Sequence, residues 1–389
     1  PVLPMLFVSL TPSSEPIRLP PRSSRSSLTV RLLALNLENF RNVEAAALSF
    51  SGQRTFFLGP NGQGKTNLLE AIAFAGVLRS FRFGGTESLV RHDSSESSLF
   101  HRFQGDDGNE SEVLLRLDSK GAKHVELDGE RITRLADYVG RFPSVVLSSR
   151  DFRLVRDGPG ERRRWLDVTL STSSSIYFET LRNYHRCLRE RNALLKRGGV
   201  DAELDAFEAA LIPAAVELTR LRREALPELS GLLAERYATI SSSREEASLG
   251  YKPDLEAADH ATIADRYLAG RERDRILGST PRGPHRDDFR FLLDSRDARH
   301  LASEGQQRGL VLALRLAEFS FLRNICGTVP ILLLDDALGE LDAERKANFH
   351  KLLPDDAQVF ATGTVHPAES GDPEAWEVFC VNAGTFELS

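Results

Sequence analysis

The stretch FLGPNGQGKTNLLEAI, residues 57–72, carries the pattern that decides the fold. Residues 59–66 follow the spacing GxxxxGK[S/T] of a P-loop, with an apolar run before it and a helical pattern after it. In this motif the glycines let backbone N–H groups close around phosphate oxygens, the lysine reaches the β- and γ-phosphates, and the hydroxyl ligates Mg²⁺. The helix that follows directs its positive N-terminal end at the anion. The sequence therefore predicts a nucleotide site in an α/β fold, formed by Gly59, Pro60, Asn61, Gly62, Gln63, Gly64, Lys65, Thr66 and Asn67.

Two acids end a second apolar run, VPILLLDD at residues 329–336. A continuous apolar run of this kind is typical of a central parallel strand that is buried on both faces. A carboxylate at the end of such a strand is placed to hold the Mg²⁺ shell, and we assign this role to Asp335 together with Thr66. Asp336 is placed to orient or deprotonate the attacking water. The predicted catalytic residues are thus Lys65, Asp335 and Asp336, and the predicted cofactors are ATP and Mg²⁺.

A second phosphate-recognition surface is predicted in LASEGQQRGLVLALRLAEF, residues 301–319. Ser303, Gly305 and Gln306 stand just before an apolar helix, where a hydroxyl, a glycine and a helix N-terminus meet. Ser303 lies 32 residues before Asp335. This order resembles that of ATP-binding-cassette (ABC) ATPases, in which the second surface belongs to the partner subunit. The stretch LGELDAERK, residues 338–346, adds Asp342, which resembles the acid at the dimer interface of such ATPases.

Between the two halves of the nucleotide site the pattern becomes helical. Residues 176–196 and 204–221 carry leucine and aromatic residues at helical spacing, and Gly198-Gly199 separates them, as in an antiparallel helical hairpin. We expect Pro213 and Pro227 to kink or interrupt the second arm. A short coiled coil is possible, but a compact helical domain is favoured. The predicted divisions are a flexible Pro/Ser-rich extension (1–28), an N-terminal half of the ATPase head (29–165), a helical insertion (166–280) and a C-terminal half (281–389).

The composition limits the classes of protein to which this chain can belong. The 389 residues are 41% apolar and 27% charged, as in an ordinary globular protein. No run approaches the roughly 18 apolar residues of a membrane span, so we expect a soluble chain with no membrane partner. The three cysteines lie far apart and form no CxxC pair, which fits a reducing cytoplasm. The net charge of −6 limits any nucleic-acid surface to a local patch.

The chain resembles the RecF family of bacterial recombination mediators. The similar stretches are LENFRNVEAAALSF (37–50), DFRLVRDGPGERRRWLD (151–167), GSTPRGPHRDDF (278–289) and LLLDDALGELDAERK (332–346). The resemblance implies an SMC-like ABC ATPase head that dimerises on ATP, closes on duplex or gapped DNA and hydrolyses ATP slowly. It also implies a role in gap repair, in which the protein helps RecO and RecR to load RecA. A sensor of the γ-phosphate is expected at Thr362 or Thr364.

A local excess of arginine marks a candidate DNA surface. Residues 131–164 contain nine arginines against four acids. Arginine suits phosphate through its bidentate fork, and such contacts give binding that is sensitive to salt and largely independent of sequence. An alternative role for Arg162, Arg163 and Arg164 is to pair with carboxylates and so brace the helical domain. The candidates are Arg131, Arg134, Arg141, Arg162, Arg163 and Arg164. For His285 we expect a structural or interface role, because no second histidine or cysteine lies at metal-ligand spacing.

Three other classes of protein remain as alternatives. A transporter ATPase is disfavoured because Thr66 and Ser303 are 237 residues apart with a helical domain between them. A chromosome clamp of the SMC type is disfavoured because the insertion is too short for a long coiled coil with a hinge. A DNA-binding scaffold with a degenerate ATPase is disfavoured because Lys65, Asp335 and Asp336 are all present.

Overall fold

The computed structural model describes residues 28–389 apart from residues 83, 242–244, 257–258, 337–342 and 368–375. The expected 1–28 extension, apart from Leu28, and the predicted interface acid Asp342 therefore lie outside the described residues. The chain begins with β1 (Leu28–Phe40), β2 (Val43–Ser49), β3 (Arg54–Leu58) and α1 (Lys65–Val77). It continues with β4 (Glu96–Gly105), β5 (Glu110–Asp118), β6 (Lys123–Leu127), β7 (Glu130–Arg131) and β8 (Ser144–Ser148).

The middle of the chain is mainly helical. It contains α2 (Arg153–Arg156), α3 (Pro159–Ser173), α4 (Ser175–Lys196), α5 (Asp201–Ser241), β9 (Ala247–Lys252) and α6 (His260–Leu277). The last part contains β10 (Asp288–Leu293), β11 (Arg296–Asp297), α7 (Ala298–Leu301), α8 (Glu304–Cys326), β12 (Thr328–Val329) and β13 (Ile331–Asp335). The described elements end with α9 (Ala343–Leu352), β14 (Val359–Gly363), β15 (Glu377–Asn382) and β16 (Thr385–Leu388). None of the described helices combines the length and apolar content that a bilayer crossing needs.

Two larger sheets enclose the first helix. One has six strands in the order β16-β15-β3-β14-β13-β8, all parallel except the edge strand β16. The other is mostly antiparallel, in the order β12-β1-β4-β5-β6-β7, with β2 also paired to β1. Between them α1 is buried along nearly its whole length, in a core that includes Leu35, Leu99, Phe57 and Phe360. A third sheet of three strands joins β9 to β10 and β11.

The strand predicted to be central and parallel is confirmed. Strand β13 pairs in parallel with β14 on one side and β8 on the other. Ile331 and Leu333 face the core around α1, whereas Leu332 and Leu334 face the core that contains α8. A strand with cores on both faces needs an apolar side chain at every position, which explains the unbroken run ILLL.

The helical hairpin is confirmed, but the prolines of its second arm do not interrupt the helix. Helix α4 ends before Gly198, and α5 then runs back as one helix of 41 residues. Pro213 and Pro227 lie inside α5 without interrupting it. The residues before them, Ile212 and Leu226, are both buried. Tertiary packing of this kind supplies most of the stability of a protein helix, and here it outweighs the single hydrogen bond that each proline removes.

Helix α5 is not an isolated arm. One continuous core contains Leu211 and Leu218 of α5 together with Leu310 and Leu314 of α8. Because α8 also packs on the parallel sheet, the helical region and the C-terminal half of the chain share their apolar core. Of the two predicted alternatives, the structure therefore shows the compact helical domain and not the short coiled coil.

Candidate nucleotide-binding site and cationic surface

The P-loop, residues 59–66, connects β3 to α1 and depends on its glycines. Gly62 and Gly64 have φ angles of 80° and 114°, in the left-handed region that glycine adopts without strain. A methyl group on residue 59 would lie 2.4 Å from the carbonyl oxygen of Val381 in β15, so only glycine fits there. The loop therefore closes tightly at the N-terminus of α1, where backbone N–H groups lack partners within the helix.

Lys65 turns back into the curve of this loop. Its Nζ donates hydrogen bonds to the carbonyl oxygens of Gly59 at 2.7 Å and Pro60 at 3.0 Å, and the residue is only 4% exposed. A buried ammonium group needs such partners, because an unpaired buried charge is strongly unfavourable. The positive charge is thus held inside the loop, where a phosphate group would meet it.

The two predicted Mg²⁺ ligands lie in direct contact. Thr66 Oγ1 donates a hydrogen bond to Asp335 Oδ1 at 2.7 Å, although the two residues are 269 positions apart. Thr362 Oγ1 donates to the same carboxylate oxygen at 3.2 Å, because β14 pairs with β13 so that Thr362 stands opposite Asp335. Burial raises the pKa of Asp335, as does the charge of Asp336, whereas the hydrogen bond from Thr66 lowers it. A hydroxyl and a carboxylate are the hard oxygen ligands that Mg²⁺ accepts, so the residues present fit this ion.

Asp336 occupies a different environment. It is exposed, and its φ angle of 50° lies in the left-handed region, which aspartate tolerates better than most residues. Its backbone N–H donates to Thr362 Oγ1 at 3.0 Å. Of the two candidates for the γ-phosphate sensor, the structure places Thr362 against both acids.

Sequence analysis missed the residues that brace the P-loop. The turn between β15 and β16 binds Gln63: Ala383 N–H donates to Gln63 Oε1 at 2.7 Å, and Gly384 N–H donates to the Gln63 carbonyl oxygen at 2.9 Å. Asn67 Nδ2 donates to Asn42 Oδ1 at 2.6 Å. Asn42 lies in the stretch LENFRN, which had a family resemblance but no assigned role. No sequence pattern in the β15–β16 turn predicts its contact with Gln63, because that contact depends on the order of strands in the sheet.

Ser303 and Gln306 form a capping box at the start of α8. Ser303 Oγ accepts from the Gln306 N–H at 3.3 Å, and Gln306 Oε1 accepts from the Ser303 N–H at 2.6 Å. Gln306 Nε2 also donates to Glu245 Oε1 at 2.6 Å. Arg156 donates to Glu304 Oε1 at 2.9 Å. Outside the capping box, the described side-chain hydrogen bonds of Glu304 and Gln306 thus run to Arg156 and Glu245.

The six candidate DNA-binding arginines fall into two groups. Arg162 is buried, and its guanidinium donates to both carboxylate oxygens of Asp288 at 2.8 and 3.0 Å. It therefore braces α3 against β10, which is the alternative that the sequence left open. Arg163 donates to the Asp287 carbonyl oxygen, and Arg164 donates to those of Ser80 and Arg82. The remaining three, Arg131, Arg134 and Arg141, are exposed, and Arg134 pairs with Glu179 at 3.0 Å.

His285 connects the helical region to the strand that follows it. Its Nε2 donates to the Thr280 carbonyl oxygen at 2.9 Å, so its Nδ1 accepts from the Tyr184 hydroxyl at 2.6 Å. Burial lowers the pKa of His285 to about 4, which keeps the ring neutral. Within the described part of the chain, no group of three or more histidine, cysteine or acidic side chains could hold a metal ion. These contacts fit the structural role expected for His285.

Comparison with known proteins agrees with this arrangement. The model of the RecF/RecN/SMC N-terminal domain family matches residues 31–381. The DNA replication and repair protein RecF of Leptospira biflexa serovar Patoc is 33% identical over 336 residues, which are 86% of this chain and 91% of that protein. The RecF of Geobacter metallireducens is 38% identical over 337 residues, 85% of this chain and 92% of its own length.

A solved structure shows the same fold. The recombination mediator protein RecF-ATPrS in the RecFOR pathway superposes with a TM-score of 0.85 at 29% identity, covering 94% of this chain and 100% of its own. The residues that the family model matches, 31–381, include the P-loop, the capping box, Asp335 and Asp336. The chain therefore belongs to the RecF family, with the fold of an SMC-like ABC ATPase head.

Proposed function

We propose that this protein binds ATP with Mg²⁺ and hydrolyses it. The observation that carries this proposal is the 2.7 Å hydrogen bond between Thr66 and Asp335, which joins the P-loop to the acidic end of β13. In this proposal Thr66 and Asp335 hold Mg²⁺, Lys65 binds the β- and γ-phosphates, and the backbone of residues 59–64 surrounds them. Mg²⁺ neutralises the charge that develops on the phosphate oxygens.

Asp336 acts as the general base. Its carboxylate accepts a proton from water while the water oxygen forms a bond to the γ-phosphorus. The bond from that phosphorus to the bridging oxygen breaks, and ADP leaves with the electron pair. Thr362 is positioned beside both acids and is our candidate for the γ-phosphate sensor, with Thr364 as the second choice.

Each ATP is shared between two copies of the chain. Ser303, Gly305 and Gln306 of one copy cap the γ-phosphate held by the P-loop of the other, and we assign Asp342 to the same interface from its resemblance to the interface acid of such ATPases. The capping box supports this role, because its two hydrogen bonds organise the N-terminus of α8 within one chain. Binding of ATP therefore drives formation of a homodimer, and hydrolysis releases it.

The ATP cycle serves recombinational DNA repair. The relatives are named for DNA replication and repair, and the solved structure is described as part of the RecFOR pathway. We propose that the dimer closes on duplex or gapped DNA in the bacterial cytoplasm, that DNA stimulates its slow hydrolysis, and that RecO and RecR are its partners in loading RecA. Exposed Arg131, Arg134 and Arg141 supply cations for DNA on the surface.

The domain divisions remain as proposed: an ATPase head from residues 29–165 and 281–389, with residues 166–280 as a helical insertion. The structure adds two facts that bear on them. Helix α3 begins at Pro159, a few residues before the proposed boundary, and β9 of the insertion pairs with β10 of the C-terminal half.

The proposal is tested by ATP turnover with and without DNA, measured beside sedimentation of the same samples. We expect the parental protein to dimerise with ATP and to hydrolyse it faster with DNA. Lys65→Ala removes charge-assisted hydrogen bonds worth about 1.5–3 kcal/mol each, so it should bind ATP at least tenfold more weakly. If Lys65→Ala binds and hydrolyses ATP at the parental level, the nucleotide site is wrongly assigned.

A further inference from the structure

A deep groove separates the antiparallel sheet from the helical region. It has a volume of about 1250 Å³, and its walls come from the end of α1, from β6, from the segment after β7, and from α3 and α4. Eight arginine or lysine side chains line it, against one carboxylate, and one of the eight, Arg222, is buried and paired with both Asp167 and Asp287. The other cations include Arg79, Lys123, Arg164, Arg182 and Arg189. We call this feature the cationic groove.

The single carboxylate does not neutralise the cationic groove. It belongs to Asp167, which already pairs with Arg222 at 2.7 Å and accepts a hydrogen bond from the Tyr177 hydroxyl at 2.5 Å. In the part of the chain that the structure describes, Arg79, Arg182 and Arg189 form no ion pair. Lys123 donates to the carbonyl oxygen of Leu78, which has no charge. The groove therefore carries a concentrated positive charge in a protein whose net charge is negative.

The cations of the groove repel one another. Burial lowers the pKa of Lys123 and of Arg164, and in both the charge of Arg79 lowers it further. Burial likewise lowers the pKa of His185, which lies in the same groove, and Arg222, Arg189 and Arg79 add to the effect. Folding holds like charges together here at a free-energy cost, and a bound anion would relieve the repulsion.

We propose that the cationic groove binds one strand of nucleic acid through its phosphate backbone. This proposal rests on the proposed function in DNA repair and names a binding site for it. Arg182 and Arg189 lie on the same helix seven residues apart, about 10 Å along its axis. They are too far apart to grip one phosphate, so they suit successive phosphates of a chain.

The shape of the groove selects a single strand. Its volume slightly exceeds the roughly 300–1,000 Å³ of sites for small organic ligands, so it holds a few nucleotides but not a duplex. Its concave form also disfavours a flat membrane surface. At a junction, the groove would thus take the single-stranded part, while exposed cations outside it contact the duplex.

One wall of the groove is connected to the nucleotide site. Arg164 donates to the carbonyl oxygens of Ser80 and Arg82 at 2.8 and 2.9 Å. Arg82 Nη1 in turn donates to Asn67 Oδ1 at 2.6 Å, directly after the P-loop. A strand that binds beside Arg164 therefore lies two side-chain contacts from Asn67, the residue that follows the P-loop.

The test measures binding of a labelled single-stranded oligonucleotide to the full chain with ATP, by fluorescence anisotropy over a range of salt concentrations. The variants are Arg79→Gln, Arg182→Gln and Arg189→Gln, all at exposed positions where folding should be unaffected. The matched control is Arg186→Gln, which removes the same charge from the same helix outside the groove, where Arg186 faces Glu190. Thermal unfolding of each variant verifies that it folds.

We expect each groove variant to bind the single strand about fivefold more weakly near 0.1 M salt and to lower the salt slope by roughly 0.7, the value for one phosphate contact. Arg186→Gln should change neither quantity.

Equal losses in Arg186→Gln and the groove variants would overturn the proposal, since the effect would then be one of overall charge. Losses confined to duplex binding would overturn the single-strand assignment. Unchanged single-strand binding in all three variants would refute the groove but leave the proposed function standing. If the parental protein binds no DNA with ATP, the proposed function itself fails.

Discussion

At the scale of single residues, the two acids that end β13 have different environments. The carboxylate of Asp335 is partly buried and receives hydrogen bonds from Thr66 and Thr362. Asp336 is exposed and has a left-handed backbone conformation. Because β13 ends at Asp335 and the backbone turns at Asp336, the two adjacent acids have different surroundings and can serve different purposes. We accordingly assign metal binding to Asp335 and proton transfer to Asp336, and each role has its own test.

Asp336→Asn should separate binding of ATP from its turnover. The amide has nearly the same shape as the carboxylate but cannot accept the proton of the attacking water. We expect ATP affinity to stay within a few-fold of the parental value, turnover to fall by about 10²–10⁴, and the ATP-bound dimer to persist in sedimentation. Asp336→Glu, which keeps a base, is the control and should retain part of the activity. Parental turnover in Asp336→Asn would exclude this residue as the base.

The pH dependence of Mg²⁺–ATP binding should report on Asp335. Only the ionised carboxylate ligates the metal, and burial raises the pKa of this group. As pH falls, Asp335 therefore takes up its proton before an ordinary aspartate does, and Mg²⁺–ATP affinity should be lost at a higher pH than the usual value near 3.9 suggests. Thr362→Val removes a hydrogen bond that lowers this pKa, so it should shift the loss to still higher pH.

The measurement is a titration of a fluorescent ATP analogue at several pH values, with and without Mg²⁺. The series without Mg²⁺ corrects for titration of the phosphates. Asp335→Asn has no proton to exchange and should show no Mg²⁺-specific pH dependence. If Thr362→Val leaves the transition in place, the hydroxyl does not act on the Asp335 carboxylate.

At the scale of elements, buried ion pairs join the helical region to the sheet that follows it. Arg222 of α5 is 1% exposed, and its guanidinium lies 2.7 Å from Asp167 of α3 and 2.8 Å from Asp287. It also donates to the carbonyl oxygen of Pro284 at 2.7 Å. The stretch GPHRDD thus acts through packing, because one of its acids and one of its carbonyl oxygens bind the same buried arginine.

Arg222→Met should destabilise the protein strongly. It leaves the buried carboxylate of Asp287 and the partly buried carboxylate of Asp167 without their cation. Breaking a buried ion pair in this way costs about 3–5 kcal/mol. Arg223→Met, at the exposed neighbouring position, is the matched control and should change stability by less than about 0.5 kcal/mol. Urea unfolding, followed by circular dichroism, measures both variants. Equal stability of Arg222→Met and the parental protein would show that the carboxylates find other partners.

At the scale of the whole molecule, each chain carries two half-sites that serve different ATP molecules. Ser303→Arg should leave binding of ATP to the monomer nearly intact, because the capping box lies away from the chain's own P-loop contacts. The dimer should fail to form, since a bulky cation cannot fit where Ser303 and Gly305 allow close approach. DNA-stimulated hydrolysis should be lost as well, which sedimentation and ATPase assays would show together.

Mixing Ser303→Arg with Lys65→Ala tests whether the site is shared. In a mixed dimer, one composite site combines both defects and the other combines the two intact surfaces. Partial ATPase activity should therefore return on mixing, although each variant is inactive alone. If two folded variants give no recovery, the sites are not shared. If Ser303→Arg dimerises at parental strength, Ser303 does not belong to the interface.

The sequence by itself determined the local parts of this protein. The P-loop, the central strand β13, the helix after Ser303 and the break at Gly198-Gly199 could all be predicted, because each depends on neighbouring residues. Glycine permits a left-handed turn, and a hydroxyl caps a helix. A strand that is buried on both faces needs an apolar side chain at every position. Local propensity failed at Pro213 and Pro227, where packing of α5 against α4 and α8 kept the helix continuous.

Only the tertiary structure decided which distant residues meet. Thr66 contacts Asp335 because the six-stranded sheet places β14 between β3 and β13. No single segment of the sequence predicts this order of strands. The same holds for Arg222 and its two carboxylates. The cationic groove combines Arg79, Lys123, Arg182 and Arg189, all of which lie outside the arginine-rich segment, residues 131–164, that the sequence singled out. Charge along the chain showed where arginines were frequent, but their neighbours in space determined which of them were paired inside the protein and which were left to bind an anion.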